Sequence, residues 1–230
     1  MAKIDVIMPT YNQSEFLLRA IPTILEQEFT DFEFFIVNDG SCDKTKSILD
    51  EKFSGKDGRL KIIHLEKNSG LPSALNIGHR AGNSEYCTWV STDNISYKNQ
   101  LKELYYCITR GNYDFVQSRW YSVKGDEKTP KNILNCKDNW GFGNLCPSFL
   151  YKRLVWETYK YDENMLCTED LKFYLQAFLH PFKFGYSDEY LMEYYVQPNS
   201  LTSHRNPKRS ARSMLHEIYQ TVVLPKIINK

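Results

Sequence analysis

Short apolar segments alternate with helical segments through the first hundred residues, and this alternation restricts the fold more than any other feature of the sequence. The apolar segments have the composition of buried strands and cover residues 4–8, 34–37, 60–64 and 86–94. The segments between them carry apolar residues at helical spacing. Strands and helices that alternate in this way form a doubly wound, mainly parallel sheet with right-handed crossovers. We therefore expect an α/β protein with a single large domain.

Two prolines are expected to interrupt these elements. Pro9 has no N–H group for a sheet ladder, so the first strand should end before it. Pro22 falls inside the first helix, for which Ser14 is the predicted N-cap, and it should kink or break that helix.

Three of the predicted strands end in polar loops, at residues 10–12, 38–41 and 91–94. In open α/β sheets the ligand crevice lies outside the carboxyl ends of the strands, so these loops should open on one edge of the sheet. Asp39 could accept a hydrogen bond from an N–H group of a base there. Asp93 would repel a phosphate unless a hard divalent cation accepted oxygens from both. The alternative interpretation of Asp93 is an ordinary helix cap.

Net charge, cysteine spacing and glycine spacing exclude several other classes of function. The 230 residues include 29 Lys and Arg against 28 Asp and Glu, so no overall field attracts nucleic acid. The six cysteines form no Cys-x-x-Cys pair, which argues against a zinc site or a disulfide framework and favours a reduced cytosol. The sequence shows neither a signal-peptide pattern nor an apolar run of about 18 residues, so we expect a cytoplasmic protein that at most lies on a membrane. Neither a P-loop nor a dinucleotide-binding glycine pattern follows the first strand.

Taken in order, the strand-end motifs resemble those of family 2 glycosyltransferases, which have the GT-A fold. The matching pieces are VIMPTYN at residues 6–12, EQ at 26–27, VNDGS at 37–41 with Asp43 and Thr45, NSGL at 68–71 with Ala74, Asn76 and Gly78, Asp93, FLYKR at 149–153 and ED at 169–170. Each piece is short, but their order matches over most of the chain.

The resemblance implies an inverting transfer of a sugar from a nucleotide-diphospho-sugar donor, with UDP as the expected nucleotide. The acceptor would be a hydroxyl of a saccharide or a lipid-linked saccharide, in the synthesis of surface polysaccharide or glycolipid, and the cofactor would be Mn²⁺ or Mg²⁺. By position, the resemblance implies that Asp93 binds the metal and that Asp170 or Glu169 is the catalytic base. The nucleotide-binding residues that it implies are Pro9, Thr10, Tyr11, Asp39, Asn68, Ser91, Thr92 and Asp93.

The sequence departs from the family pattern at Ser91, where the common Asp-x-Asp motif has its first aspartate. A hydroxyl can hydrogen-bond a ribose but brings no charge to a metal, so a nucleotide-sugar-binding module without catalysis is an alternative function. A sugar-1-phosphate nucleotidyltransferase is a second alternative, although the Gly-rich loop that would hold a triphosphate is missing. The Gln-x-x-Arg-Trp motif of processive members is also missing, because residues 117–120 are one residue too short and precede the Glu-Asp pair. We therefore expect the transfer of single sugars.

The choice between the two acids of the Glu-Asp pair rests on helical geometry. Thr168 is the predicted N-cap of a helix in which Asp170 borders the apolar arc and Glu169 points to the far side. Both lie in the first turn, where the helix dipole favours a carboxylate. Asp170 is therefore the preferred base, and the alternative for both residues is helix-start chemistry.

The remaining predictions concern the second half of the chain. Residues 1–95 are the expected nucleotide-sugar-binding half, 96–204 the acceptor-binding half and 205–230 a basic amphipathic helix. Residues 124–139 are predicted to form a long loop, and Trp140 and Phe142 after it could stack on an acceptor sugar or anchor the loop. His204 and Arg205 could bind the donor diphosphate as a lid or meet an anionic membrane surface. A terminal helix packed through its apolar face is the alternative.

Overall fold

A single mixed sheet passes through the residues that the structure, a computed structural model, describes, which are 2–131, 147–165, 168–197 and 218–223. Its strands in this part of the chain are β1 Ile4–Thr10, β2 Phe32–Asn38, β3 Leu60–His64, β4 Tyr86–Trp89, β5 Ile95–Ser96, β6 Phe115–Lys124, β7 Glu127–Lys131, β8 Phe149–Lys152 and β9 Phe184–Tyr195. Their order across the sheet is β3-β2-β1-β4-β8-β6-β9-β5, and β7 pairs with β6. The first four strands are parallel, whereas β8 runs antiparallel to both β4 and β6.

Helices cover both faces of this sheet. They are α1 Ser14–Leu25, α2 Thr45–Ile48 with a π-helical turn Leu49–Phe53, α3 Leu71–Ala81, α4 Gln100–Arg110, α5 Arg153–Tyr159 and α6 Glu169–Phe178, and a further π-helical turn spans Tyr219–Val223. The predicted α/β fold is confirmed, and its doubly wound part, with strands β1 to β4, is the first half of the chain. No helix in the described ranges is long and apolar enough to span a bilayer.

The predicted strand end before Pro9 was wrong, and Pro22 does not break its helix. β1 continues through Pro9, which pairs with Val37 of β2 in the parallel register. The last hydrogen bond between β1 and β4 joins Val90 N–H to the carbonyl oxygen of Ile7, so the side of Pro9 that lacks an N–H faces no partner strand. α1 likewise runs through Pro22 to Leu25, because its apolar face is buried in the core and holds the helix together.

Two other segments differ from the prediction. Residues 127–131 belong to the predicted loop but form β7, which pairs with β6 as a hairpin. Residues 184–195 form the twelve-residue strand β9, which the sequence analysis did not predict. Charged and aromatic residues occur on both faces of β9, so its sequence lacks the simple alternation that reveals a half-buried strand.

The core lies on both sides of β1. Val6 and Met8 pack on the side of α1, whereas Ile7 packs on the opposite side with Leu75 of α3. α3 approaches the strand so closely at Gly78 that an added Cβ atom would lie 2.5 Å from Cγ2 of Ile7. The absence of a side chain at this position therefore permits the contact between helix and strand.

A buried ion pair joins the parallel half of the sheet to the mixed half. Asp5 of β1 is fully buried, and Arg153 at the start of α5 donates to its carboxylate. The N–H and hydroxyl groups of Ser84 donate to the same carboxylate at 2.9 and 2.6 Å. Arg153 also donates to the carbonyl oxygen of His79 at 2.9 Å. These contacts satisfy both charges and fix β8 and α5 against β1.

His79 of α3 is buried and uncharged. Its Nδ1 lies 2.8 Å from the carbonyl oxygen of Leu75, and its Nε2 lies 2.6 Å from the hydroxyl of Tyr151. The ring therefore donates to Leu75 and accepts from Tyr151. Burial lowers the pKa of His79 to about 3, although the hydrogen bond to Leu75 opposes this shift.

The lowered pKa of His79 predicts that the protein loses stability in mild acid. A histidine in the unfolded chain binds a proton near pH 6.5, whereas folded His79 does so only near pH 3. The contribution of neutral His79 to the free energy of unfolding is therefore fully present above pH 6.5 and is lost as the pH falls from 6.5 toward 3. The slope is at most about 1.4 kcal/mol per pH unit. Urea unfolding at about pH 7.5 and 5.5 should show a pH-dependent loss that is larger by about 1 kcal/mol in the wild type than in His79→Gln.

The partly exposed His64 provides the control for this measurement. His64→Gln should keep most of the wild-type pH dependence, because that substitution leaves His79 in place. Equal pH dependence of wild type and His79→Gln would contradict the assignment.

Candidate active site

The candidate site is the crevice that opens where β1 and β4 diverge. Their paired residues end at Ile7 and Trp89, and β1 then continues alone beside β2 to Thr10. The chain after β4 leads through Ser91 to Asp93. This is the position at which the strand order reverses, and open α/β sheets bind ligands there. The predicted strand-end loops therefore do open on one edge of the sheet.

Asp39 joins the loop after β2 to the loop between β3 and α3. The carboxylate is 3% exposed and accepts hydrogen bonds from the N–H and hydroxyl of Ser69, both at 2.7 Å, and from the N–H of Gly70 at 2.9 Å. Gly40, with φ of +66°, allows the close approach, because a Cβ atom there would lie 2.4 Å from the carbonyl carbon of Lys67. Three of about four acceptor positions on Asp39 are thus used within the protein, which leaves about one for a base.

Asn12 connects the loop after β1 to the loop after β2. It has a positive φ of 52° and donates its N–H to Oγ of Ser41 at 2.9 Å. Its side-chain oxygen accepts the N–H of Cys42 at 2.9 Å. The first N–H of α1, from Ser14, is taken by the carboxylate of Asp43 at 3.1 Å. The start of α1 is therefore occupied by a protein carboxylate and offers little to a phosphate.

Among the predicted nucleotide-binding residues, Thr10 has a buried hydroxyl that a ligand could contact. Its side chain is 2% exposed, and Oγ1 is buried without a hydrogen-bond partner in the described part of the chain. A buried hydroxyl normally has a partner, so this one is available to a ligand that enters the crevice. Tyr11 beside it is 45% exposed, and Asn68 is exposed on the facing loop.

Asp93 is held in the crevice by its neighbours. The hydroxyl of Ser91 donates to Oδ1 of Asp93 at 2.5 Å, and Arg19 of α1 donates to the Asp93 carbonyl oxygen at 2.8 Å. Thr92 between them donates to Oε1 of Gln13 at 2.5 Å. Burial raises the pKa of Asp93, while the Ser91 hydrogen bond and the Arg19 charge oppose this shift. The loop is thus fixed, but its carboxylate is only partly stabilised as an anion.

Asp170 and Glu169 do not divide as helical geometry predicts. Glu169 is 5% exposed and therefore does not point away from the protein, whereas Asp170 is partly exposed. The prediction failed because α6 is also buried on the side of Phe173, which follows Glu169 by four residues and packs against Tyr151 and Tyr161. A single apolar arc does not describe a helix that is buried on two sides.

The Asp170 side chain lines a small cavity beside the crevice. The other residues that line this cavity are Trp89, Phe115, Phe149, Tyr161, Phe173 and Tyr174. Burial raises the pKa of the Asp170 carboxyl, and the N–H of Leu171, which donates to Oδ1 at 2.7 Å, opposes this shift. A carboxylate with a raised pKa is a stronger base than an ordinary aspartate, as long as it remains ionised.

Tyr194 of β9 connects the two acidic positions and was missed by the sequence analysis. Burial raises its pKa, and so do the charges of both Asp93 and Asp170. The pairing of Glu193 with Ile95 and the hydrogen bond from Tyr195 to Asn94 bring this part of β9 beside the loop that carries Asp93. A predicted strand over 184–195 would have been the signal that could have found this residue.

The described residues fit a divalent cation only in part. No group of three or more His, Cys, Asp or Glu side chains suited to a metal occurs within them. The crevice offers the Asp93 carboxylate and the Ser91 hydroxyl as oxygen ligands. Mg²⁺ is commonly bound through one or two carboxylates together with substrate phosphates and water, so this donor set suits a cation that arrives with a diphosphate.

Four predicted site residues lie outside the described residues. They are Trp140, Phe142, His204 and Arg205. The predicted acceptor platform, diphosphate lid and membrane contact therefore stay predictions.

Comparison with known sequences identifies the protein family of this chain. The family model "Glycosyl transferase family 2" matches residues 5–191. The chain is 29% identical over 217 residues to the uncharacterised glycosyltransferase EpsJ of Bacillus subtilis, covering 86% of this chain and 62% of EpsJ. It is 26% identical over 243 residues to the poly(ribitol-phosphate) beta-N-acetylglucosaminyltransferase TarP of Staphylococcus aureus, covering 96% of this chain and 72% of TarP. The chain spans only 39% of the glycosyltransferase GlyG of Streptococcus pneumoniae.

Comparison with solved structures gives the same fold. S. aureus TarS 1-349 in complex with UDP-GlcNAc has a TM-score of 0.80 at 23% identity, covering 99% of this chain and 67% of that one. The same protein in complex with UDP has a TM-score of 0.73 at 25% identity, covering 85% and 61%. The Pyrobaculum calidifontis mannosyltransferase PcManGT in complex with GDP-Man and Mn²⁺ has a TM-score of 0.71 at 16% identity, covering 87% and 59%. The GT-A fold implied by the sequence motifs is confirmed.

The contacts of Asp39 predict a structural cost for its removal. Asp39→Ala should lower the free energy of unfolding by roughly 1.5–3 kcal/mol, because three donors lose a charged acceptor. Urea titration would measure this loss. The exposed Asp31 is a matched control, and Asp31→Ala should change stability by less than about 0.5 kcal/mol. Equal effects of the two substitutions would show that the loop contacts contribute little.

Proposed function

Because the chain belongs to glycosyl transferase family 2, we propose that it transfers a single sugar from a UDP-sugar donor to an acceptor hydroxyl with inversion at the anomeric carbon. One observation carries the proposal. Asp170 at the start of α6 lines a cavity together with Trp89, the last residue of β4, and Asp93 follows Trp89 by four residues, so two carboxylates lie at the same end of β4. One of them can serve the diphosphate and the other the acceptor.

In the proposed reaction the nucleotide binds along the ends of β1 and β2. Thr10 offers its unpartnered hydroxyl, and the loop that Asp39 fixes forms the facing wall. This arrangement orients the donor so that its diphosphate lies toward Asp93. The evidence for a uridine nucleotide is the likeness to TarS, whose structure was solved in complex with UDP at 25% identity.

Asp170 acts as the general base in this proposal. The acceptor hydroxyl gives its proton to the Asp170 carboxylate as its oxygen forms a bond to the anomeric carbon. The bond from that carbon to the diphosphate oxygen breaks and leaves its electron pair on UDP. Attack and departure take place on opposite faces of the sugar, so the configuration inverts.

Asp93 and Ser91 would hold a divalent cation when one accompanies the donor. Bound Mn²⁺ or Mg²⁺ would neutralise charge on the departing diphosphate. The Ser91 hydroxyl already orients Oδ1 of Asp93, so it could preserve a metal site that has one carboxylate fewer than the common Asp-x-Asp motif.

The acceptor is proposed to be a saccharide, a lipid-linked saccharide or another hydroxyl-bearing polymer of the cell surface. The likeness to TarP, whose name specifies a poly(ribitol-phosphate) acceptor, supports a polymer of this kind. Cytosolic placement with peripheral contact to a membrane surface through residues 205–230 belongs to the same proposal.

A test of donor and metal binding is the most direct. UDP should bind at least about tenfold more tightly with Mn²⁺ than with a chelator, and Asp93→Ala should abolish the difference, because the Asp93 carboxylate would hold the ion that neutralises charge on the diphosphate. Isothermal titration calorimetry would measure both affinities. The control Asp31→Ala should keep the Mn²⁺ effect. Equal binding of UDP with Mn²⁺ and with chelator in the wild type would refute the metal role.

The same preparation separates an enzyme from a binding module. Slow release of free sugar from the preferred UDP-sugar, lost in Asp170→Asn, supports catalysis. Tight UDP binding without any sugar transfer or hydrolysis would favour a non-catalytic module instead.

The raised pKa of Asp170 predicts the pH dependence of turnover. The base works only when ionised, so kcat should fall as the pH drops through its pKa, and this fall should occur above the ordinary aspartate range near 4. Asp170→Asn should lower kcat by roughly 10²–10⁴ and remove this acidic limb. Glu169→Gln, which removes a charge from the same helical turn, should have a smaller effect on kcat and keep the limb. A larger loss in Glu169→Gln, in a protein that still binds UDP, would reassign the base.

A further inference from the structure

Two adjacent tyrosines of β9 point to opposite faces of the sheet. Tyr195 lies on the side of α1, where the guanidinium carbon of Arg19 is 4.4 Å from the centre of its ring. Its hydroxyl donates to Glu193 at 2.8 Å. Tyr194 lies on the other side, where its ring packs against Trp120 and Met192. The alternation of side chains along a strand explains this division.

The backbone at this point of β9 is joined to the loop that carries Asp93. The N–H of Tyr195 donates to Oδ1 of Asn94 at 3.0 Å, and Asn94 directly follows Asp93. β9 therefore holds Tyr194 beside the end of β4, at the crevice. The antiparallel pairing of Ile95 with Glu193 also places Tyr194 opposite Asn94. Burial raises the pKa of Tyr194, and the charges of Asp93 and Asp170 add to this shift. The hydroxyl of Tyr195 has its partner, Glu193, on the other face of the strand.

The position between the two acids determines what Tyr194 can contact. In the proposed reaction the diphosphate lies at Asp93 and the acceptor oxygen at Asp170. The anomeric carbon must lie between them, because the attacking atom has to come within about 3–3.5 Å of it opposite the leaving group. A side chain that is near both carboxylates therefore borders the sugar and is remote from the base-binding end at Thr10 and Asp39.

We propose that the hydroxyl of Tyr194 contacts the sugar that is transferred, and that this residue takes part in the selection of the donor sugar. A phenol can both donate to and accept from a sugar hydroxyl, and its ring can pack against the sugar. A site that hydrogen-bonds a particular hydroxyl discriminates against sugars that lack it, because the buried group would then be unpaired. This inference rests on the proposed function and extends it to a residue outside the family motifs.

The test compares a nucleotide with its sugar conjugates. Calorimetry at fixed Mn²⁺ would give the dissociation constants of UDP and of whichever of UDP-glucose, UDP-galactose and UDP-GlcNAc the wild type binds most tightly. The informative quantity is the ratio of the constant for the UDP-sugar to that for UDP. In Tyr194→Phe this ratio should rise about fivefold relative to wild type, because one hydrogen bond to the sugar is lost while UDP binding is retained. Tyr194→Ala should raise it further.

The neighbouring tyrosine provides a matched control. Tyr195→Phe removes the same hydroxyl from the opposite face of the strand and should leave the ratio unchanged. A ratio that stays within about twofold of wild type in both Tyr194 variants would overturn the inference and leave the proposed function in place. Equal weakening of UDP and UDP-sugar would also overturn it, because the contact would then be to the nucleotide. A wild-type protein that binds neither UDP nor a UDP-sugar would overturn the proposed function, and this inference with it.

Discussion

The site depends on the point at which β1 and β4 stop pairing. Val90 makes the last hydrogen bond to β1, at the carbonyl of Ile7, and β1 then extends to Thr10 beside β2 alone. Pro9 lowers the free-energy cost of this separation, because it has no N–H group that would be left unpaired on the open side. The gap between the two strands is therefore built into the sequence, and the polar loops after both strands line it.

The parallel half of the fold could be predicted from the sequence because its strands are buried on both faces. Such strands are continuous apolar runs, and the polar residues at their ends indicate where the crevice opens. The same rule failed for β9, in which one face carries Tyr194 toward the crevice and the other carries Glu193 and Tyr195 in a half-exposed network. A strand with polar residues on both faces lacks the alternation of apolar and polar residues by which strands are recognised. The residue that such a strand brings to a site is therefore seen only in the folded structure.

The family resemblance located the acidic pair, but helical geometry could not assign exposure within it. A wheel drawn from the sequence assumes one buried side, whereas α6 packs on β8 and α5 through residues such as Phe173 and on Ile218 and Val222 through Leu175. Glu169 is buried as a result. The position of each motif at a strand end or a helix start could be predicted from the sequence. The burial of each side chain could not be predicted, because it is set by elements that are distant in sequence.

Partial burial of Asp93 and Asp170 has an energetic consequence for the site. Desolvation disfavours the charged form of each, and neither has an ion-pair partner among the described residues, as Arg19 donates to the backbone of Asp93. Two partly desolvated carboxylates at the same end of β4 are unfavourable as anions until positive charge comes near them. In the proposed reaction Asp170 takes the proton of the acceptor, and the sugar gains positive character as its bond to the diphosphate breaks. Both changes would relieve the unfavourable negative charge of the two carboxylates, so on this proposal groups that are poorly solvated in the free protein favour the transition state over the ground state.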